Sequence, residues 1–413
     1  MLPSEVLQII QPNVQEFILE NKNADEKKLL LSKKEILGIP STVIANQISG
    51  RRKAKSKLPT WYQTKGIVYH SNLAIEQSSS EATAKFKTQI IKGLLKNRKS
   101  MVDLTGGFGV DSFFLSKIFD QVNHVEPTKE LVEIVTHNHS QLQARNIQYH
   151  TQSAEEFLKE NHPRFDLIFL DPSRRDENNR KIFRLADCVP SISELQPKIF
   201  ERTDHVLLKA SPLLDIQQGL REITHIKKVF VVSVENECKE LLFFADLIFS
   251  GEPSIEAVNL DQLGEVKEML TFDLSEEKKS EAQFSEPLNY LYEPNSSLLK
   301  AGAFKLISSR FNIFKLHTNT HLYTSQKLIQ NFPGRTFKIE KIDPTDKELK
   351  MLLLEGKANV ATRNYPLSAE ELKKKLKVKD GGEKFVIGFS GLNKKYIVVA
   401  TRHLVTGIRS TES

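Results

Sequence analysis

Residues 103–111 read Asp103-Leu104-Thr105-Gly106-Gly107-Phe108-Gly109-Val110-Asp111. An apolar run at 101–104 leads into them and a helical run near 110–118 follows. A strand that turns through glycines into a helix is a ligand-holding turn in α/β proteins. Gly107 and Gly109 allow the tight turn and a close approach of the ligand to the backbone. The third glycine of the G-x-G-x-x-G dinucleotide fingerprint is missing. The acidic Asp103 at the strand end would repel a pyrophosphate but attract an ammonium group.

Outward from this turn, β-rich runs at 101–104, 122–126, 147–150, 166–170, 205–209 and 228–234 alternate with helical runs near 110–118, 128–143, 153–160, 190–202 and 214–222. The alternation predicts a parallel sheet covered by helices on both faces. The run at 241–248 follows its predecessor after only residues 235–240, too short a gap for a helical crossover, so that pair is antiparallel. Six parallel strands with one antiparallel partner are the pattern of a class I methyltransferase sheet of Rossmann-like α/β type. S-adenosylmethionine, with its amine and sulfonium, suits Asp103. Glu126 stands 17 residues after Gly109, at the end of the second strand, where a carboxylate can accept both ribose hydroxyls. The expected cofactor set is Asp103, Thr105, Gly107, Phe108, Gly109 and Glu126. Ser153 and Ala154 join it after the third strand at the adenine, and Glu81, with Ser79 beside it, at the methionine end. Glu155 reads as a helix N-terminal carboxylate.

The fourth strand ends in Asp171-Pro172-Ser173-Arg174-Arg175, beyond the carboxyl end of the sheet where ligands sit. Asp171 is the expected catalytic acceptor of a substrate N–H, and Pro172 stiffens the loop and offers an apolar surface to a base. Arg174 and Arg175 are candidates for phosphate, or pair with Asp176 and Glu177. Lys209, ending the fifth strand, and Asn236, in the hairpin loop, are the other substrate-binding candidates. Cys188 and Cys238 lie in no proline-cysteine motif, which disfavours the covalent route to carbon 5 of a pyrimidine and favours direct displacement by a nitrogen. The eleven histidines form no metal signature, and no metal is expected.

Charge is distributed in blocks. Residues 1–98 carry 16 Lys and Arg against 8 Asp and Glu, and residues 333–413 carry 17 against 10. With a whole-chain charge of +7, the middle is net −8. Basic ends favour a polyanionic partner. Arg51–Lys57 with Trp61 and Tyr62, and Lys373–Lys379 in the tail, are candidate phosphate and base contacts. Residues 1–98 read as helical, including a helix opened by Pro40-Ser41-Thr42 with Ser41 as N-cap. Residues 253–332 read as α+β, with strand-like runs near 304–307 and 313–317, and Pro333-Gly334 as a boundary. The expected domains are 1–98 helical, 99–252 catalytic, 253–332 and 333–413. No run of about 18 apolar residues suggests a membrane helix. The start has no signal-peptide character, and two cysteines suit a reducing, cytoplasmic setting.

The chain resembles a bacterial family of class I S-adenosylmethionine-dependent methyltransferases with a C-terminal THUMP-like domain. The residues that carry this are 76–84, 103–111, Asp171-Pro-Ser-Arg-Arg175, Leu207-Leu-Lys-Ala-Ser-Pro212, Val234-Glu-Asn-Glu-Cys-Lys239 and the tail Ala358-Asn-Val-Ala-Thr-Arg-Asn-Tyr-Pro-Leu-Ser368. The resemblance implies a ferredoxin-like segment within 253–332 and a THUMP-like tail. It implies an RNA substrate, tRNA or rRNA, because THUMP domains bind such RNAs. Asp171-Pro-Ser-Arg-Arg175 departs from the Asn-Pro-Pro-Tyr motif of many amine methyltransferases and leaves the target atom open. The competing functions are methylation of a small molecule or protein, and RNA binding without catalysis on a methyltransferase fold.

Overall fold

The computed structural model describes residues 3–32, 34–70, 72–173 and 188–403. It divides into two compact units. The first holds residues up to Glu235, Lys239–Pro253 and Leu260–Val266. The second holds Asn236–Cys238, Ser254–Asn259 and residues from Lys267 onward.

The first unit opens with helices α1 (Pro3–Ile9), α2 (Pro12–Glu20), α3 (Glu26–Ser32), α4 (Ser41–Lys57), α5 (Pro59–Gln63), α6 (Asn72–Gln77) and α7 (Glu81–Leu94). Pro12 stands in the first turn of α2, where its missing N–H costs nothing. Ser80 caps α7 by accepting from the Thr83 N–H at 3.2 Å. Ser41 is not the N-cap of α4: Pro40 takes that position, and the Ser41 hydroxyl donates to the Lys34 carbonyl. Between α3 and α4 a short antiparallel pair, Glu35–Ile36 with Ile39–Pro40, interrupts the expected all-helical segment. Residues 1–98 do not stand apart. Ile44, Ile48, Trp61 and Val68 share one buried cluster with Phe113, Phe114, Ile134 and Val135 of the catalytic segment.

Seven strands follow: β1 (Ser100–Asp103), β2 (Gln121–Val125), β3 (Ile147–His150), β4 (Leu167–Leu170), β5 (His205–Ala210), β6 (Ile226–Val234) and β7 (Glu237–Asp246). The expected seven-stranded sheet is extended to nine: the order is β3-β2-β1-β4-β5-β7-β6-β8-β9, with β8 (Ser254–Leu260) and β9 (Val266–Asp273) added beyond β6. Pairs from β3 to β5 are parallel, whereas β7 runs antiparallel to β5 with Leu208 opposite Phe243. Every residue of β4 is buried, as a strand covered on both faces requires. The helices between are α8 (Val110–Leu115), α9 (Lys129–Gln141), α10 (Ala154–Lys159), α11 (Ile192–Arg202) and α12 (Ile216–Glu222). A parallel sheet places all its strand-end loops at one edge, so the segments after β1, β2, β4 and β5 converge there.

In the second unit a sheet is built from β10 (Tyr290–Pro294), β11 (Phe314–His317), β12 (Thr320–Ser325), β13 (Gly334–Ile342), β14 (Asn359–Arg363), β15 (Lys384–Ser390) and β16 (Lys395–His403). The order β11-β12-β10-β13-β16-β15-β14 runs unbroken across Pro333-Gly334. The run near 304–307, expected as a strand, is a helix, Phe304–Phe311. Phe304, Ile307 and Phe311 recur at helical spacing, and Asn312, at φ 50°, ends the element. Among the described residues no helix is long and apolar enough to cross a membrane.

Candidate active site

The turn after β1 is held from three directions. The Gly106 N–H donates to the Val125 carbonyl at 2.8 Å, tying the turn to the end of β2. The Gly107 N–H donates to Glu126 Oε2 at 3.1 Å, and the Thr128 N–H donates to Glu126 Oε1 at 3.0 Å. The Asp171 N–H donates to Thr105 Oγ1 at 2.6 Å, which brings the end of β4 against the same turn. Gly107 and Gly109 have φ of 51° and 76°, in the left-handed region that favours glycine. A Cβ on Gly107 would meet nothing nearer than the Thr105 carbonyl at 3.7 Å, whereas one on Gly109 would lie 2.6 Å from Val135 Cγ1 and 2.7 Å from His139 Cε1. Gly107 therefore borders open space, and Gly109 is packed from behind. Phe108 sends its side chain into the core, so only its backbone belongs to the cradle.

Asp103 is 1 % exposed and turned into the loop. Its Oδ1 accepts from the Thr105 N–H at 3.1 Å and its Oδ2 from the Ser112 hydroxyl at 2.6 Å. Burial pushes its carboxyl up to about 7, against the lowering effect of the Ser112 bond and with help from Asp111. Two histidines brace the turn beneath. His124 Nδ1 lies 2.9 Å from Ser112 Oγ, and its ring blocks the Cβ position of Gly106. His139 Nε2 donates to the Gly109 carbonyl at 3.0 Å, which leaves Nδ1 to accept from the Tyr149 hydroxyl at 3.1 Å. Burial lowers His124 to about 3 and His139 to about 4, so both are neutral struts at pH 7.

Asp171 ends β4 half-buried, and Pro172 beside it is buried. Lys209, at the end of the neighbouring strand β5, pairs with Asp171 Oδ2. Burial works against the Lys209 charge, but Asp171, Glu240 and Asp111 outweigh it and hold the ammonium well above its ordinary value. Lys57, at the C-terminal end of α4, donates to the Ile75 and Glu76 carbonyls at 2.7 Å each. Its pKa falls to about 8 through burial and then through Lys209, which places the end of α4 within electrostatic reach of the same centre.

Other predicted site residues are used differently. Glu81 is buried and accepts from the Thr60 N–H and hydroxyl at 2.8 Å each, fixing the start of α5. Ser153 is the N-cap of α10 in a reciprocal capping box with Glu156, and Ala154 is buried behind it. Asn236 falls in the second unit, where its N–H donates to Asn259 Oδ1 and its Oδ1 accepts from the Ser296 N–H. Arg174 and Arg175 lie outside the described residues. The basic run in α4 is largely engaged within the protein. Arg51 lies over the Tyr62 ring, Arg52 bonds the Ala24 carbonyl and Glu26, and Lys53 pairs with Glu76. Trp61 is fully buried, edge-on to Phe113 at 4.9 Å, so it cannot stack on a base.

Sequence reasoning missed a buried ionic centre. Lys87 in α7, 0 % exposed, lies between Glu240 of β7, at 2.8 and 3.0 Å, and Asp111 of α8, at 3.2 Å. It also donates to Ser79 Oγ at 3.1 Å, and Ser79 in turn donates to Asp111 Oδ2 at 2.6 Å. The sequence signal is a lysine among Ala82, Thr83, Ala84, Phe86 and Ile91 on the buried face of α7, which also holds Glu81.

The strand order with its one antiparallel member, and a glycine turn whose one open face lies beside a half-buried Glu126, define a class I methyltransferase. The family models matched are "Conserved hypothetical protein 95" over residues 84–211, a ferredoxin-like domain over 290–333 and a THUMP domain-like segment over 334–402. No curated protein matches the chain. Among solved structures, a candidate methyltransferase from Porphyromonas gingivalis W83 is 30% identical, covering 97% of this chain and 99% of its own, with a TM-score of 0.82. An rRNA methylase from Streptococcus thermophilus is 12% identical over 40% of this chain and 93% of its own, with a TM-score of 0.29. An O-methyltransferase from Bacillus cereus in complex with SAH is 10% identical over 41% and 83%, with a TM-score of 0.33. The near full-length match and the tail model together place the chain in the class I S-adenosylmethionine-dependent methyltransferase family that carries a C-terminal THUMP-like domain. The methyl donor of class I methyltransferases is S-adenosylmethionine.

The residues present fit that cofactor. Gly107 leaves room for a ligand against the backbone, and Glu126, already accepting one N–H on each oxygen, keeps a lone pair on each for ribose hydroxyls.

Proposed function

We propose that the protein transfers a methyl group from S-adenosylmethionine to a base nitrogen of RNA, either tRNA or rRNA, in the cytoplasm. The observation that carries the reading is Asp171. Its backbone is pinned to the cofactor turn through Thr105, and its Oδ2 is occupied by Lys209. Among the described residues Oδ1 has no donor, which leaves it to accept an N–H of the acceptor base. That hydrogen bond orients the nitrogen lone pair toward the turn, and buried Pro172 stiffens the approach. The bound cofactor supplies an electrophilic methyl on a sulfonium. The nitrogen that takes the methyl would release its proton to the Asp171 carboxylate, whose charge Lys209 steadies. Neither Cys188 nor Cys238 stands in a proline-cysteine motif, so neither supports a thiolate route to a pyrimidine carbon.

Support for RNA comes from the second unit. Lys374, Lys375, Lys377 and Lys379 are exposed at and beyond the end of helix Ala369–Leu376, whereas Lys373 pairs with Glu370 and Asp380. A groove of about 560 Å³ is lined by Tyr290, Lys327 and Lys338 among others, an aromatic ring and two cations in one recess.

The test is transfer of tritiated methyl to bulk RNA from cells lacking this gene, with Asp171→Ala in parallel. Transfer to RNA that falls about 100-fold in the variant, while cofactor binding persists, is expected. Nucleoside digestion then identifies the atom. Label that survives RNase and stays with protein or small molecules would overturn the RNA reading.

A further inference from the structure

The ionic centre around Lys87 joins α7, α8 and β7. Asp111 is the second residue of α8, two positions after Gly109. Ser79 lies in the segment entering α7, and Glu240 lies on β7. The ammonium touches all three, and Ser79 closes the ring onto Asp111. Asp111 and Glu240 also act on Lys209, which holds Asp171. Charges thus alternate from the foot of the cofactor turn to the carboxylate at the end of β4: Lys87, then Asp111 and Glu240, then Lys209, then Asp171.

We propose that Lys87 is a positioning residue for methyl transfer, fixing through Asp111 the angle at which the Gly107–Gly109 turn meets the cofactor, and through Glu240 the place of Lys209 on Asp171. The role rests on the methyltransferase reading but not on RNA as the acceptor. A fully buried lysine is a costly way to hold helices together. An apolar side chain of similar length would fill the same space at no loss of stability if both carboxylate partners, Asp111 and Glu240, were also replaced. What the apolar replacement cannot reproduce is a fixed direction for Asp111.

The test compares Lys87→Met, Glu240→Gln and the double variant by calorimetric titration with S-adenosylmethionine and S-adenosylhomocysteine, alongside thermal melts. Lys87→Met alone leaves two buried carboxylates facing each other and is expected to melt early. The double variant removes that repulsion and is the deciding protein. It is expected to melt above Lys87→Met, though below the wild type because Asp111 still loses its ammonium, and to bind both cofactor forms about tenfold more weakly at temperatures where it is folded, within the range of coupling changes from residues that touch no ligand. A double variant with wild-type affinity would reduce Lys87 to a structural strut and overturn the proposal, leaving the methyltransferase reading intact. Wild-type protein that binds neither form would overturn both.

Discussion

Gly107→Ala and Gly109→Ala separate two costs that coincide in one turn. Both residues have positive φ, so each alanine carries about 1 kcal/mol of backbone strain. At position 107 that is the whole cost, because the added methyl meets nothing within 3.4 Å. At position 109 the methyl would lie 2.6 Å from Val135 Cγ1 and 2.7 Å from His139 Cε1, both buried on α9. Valine is stiff at χ1, and His139 is held by bonds at both ring nitrogens, so neither neighbour gives way cheaply. Overpacking of this kind adds about 1–3 kcal/mol, for a total near 2–4 kcal/mol. With a urea slope of about 3 kcal/mol per M, Gly109→Ala should lower the unfolding midpoint by about 1 M and Gly107→Ala by about 0.3 M. Cofactor titration should rank them the other way, with Gly107→Ala losing more affinity because its methyl enters the open side of the turn. Equal midpoint shifts, or full cofactor affinity in folded Gly107→Ala, would refute this account of which glycine faces the ligand.

Three further outcomes can be checked. His139 is held near 4 by burial, below its unfolded value near 6.5, so the unfolded chain binds more protons and stability falls as pH drops from about 6.5 toward 4. Buried Asp103, raised to about 7, acts with the opposite sign, so the contrast with His139→Gln is the informative measurement. That variant should lose about 2 kcal/mol less than the wild type between pH 7 and pH 5 in denaturant titrations. Trp61 is the sole tryptophan and fully buried. Its emission should be blue-shifted in the native protein, and Trp61→Ala should cost about 3–5 kcal/mol in the same titrations. Replacing Lys374, Lys375, Lys377 and Lys379 together by serine should reduce the salt slope of RNA binding by about 3–4 while leaving cofactor affinity unchanged.

The catalytic sheet was legible because each strand is a short β-rich run bounded by a helix. The antiparallel member was legible because six residues between 234 and 241 cannot hold a crossover. Glycines 107 and 109 were legible because backbone demands restrict residue type. Roles that depend on which side chain reaches which backbone group were not. Glu81 and Ser153 have the chemistry of ligand contacts, yet tertiary packing gives one to Thr60 and the other to its own helix cap. Trp61 next to a basic run looks like a stacking surface in one dimension, and only the packing of α5 on α8 shows it buried. The Lys87 centre depends on residues from 79 to 240, a separation over which local pattern carries no information. Phe304–Phe311 shows that a short apolar run is ambiguous until its spacing is weighed against the left-handed residue that ends it.

That separation also has a consequence in time. Lys87 and Glu240 lie 153 residues apart. On a chain synthesised at about 5–20 residues per second, roughly 8–30 s pass between the appearance of the two. Until β7 arrives, the ammonium of Lys87 can be dehydrated only against Asp111, so the face of α7 that carries it has reason to stay wet. The N-terminal helices can gather around Trp61 early, from neighbours close in sequence. The joint between them and the sheet must wait for the strand that inserts itself last into the order, and a ribosome-bound chain that stops short of residue 240 would hold the glycine turn with one of its anchors absent.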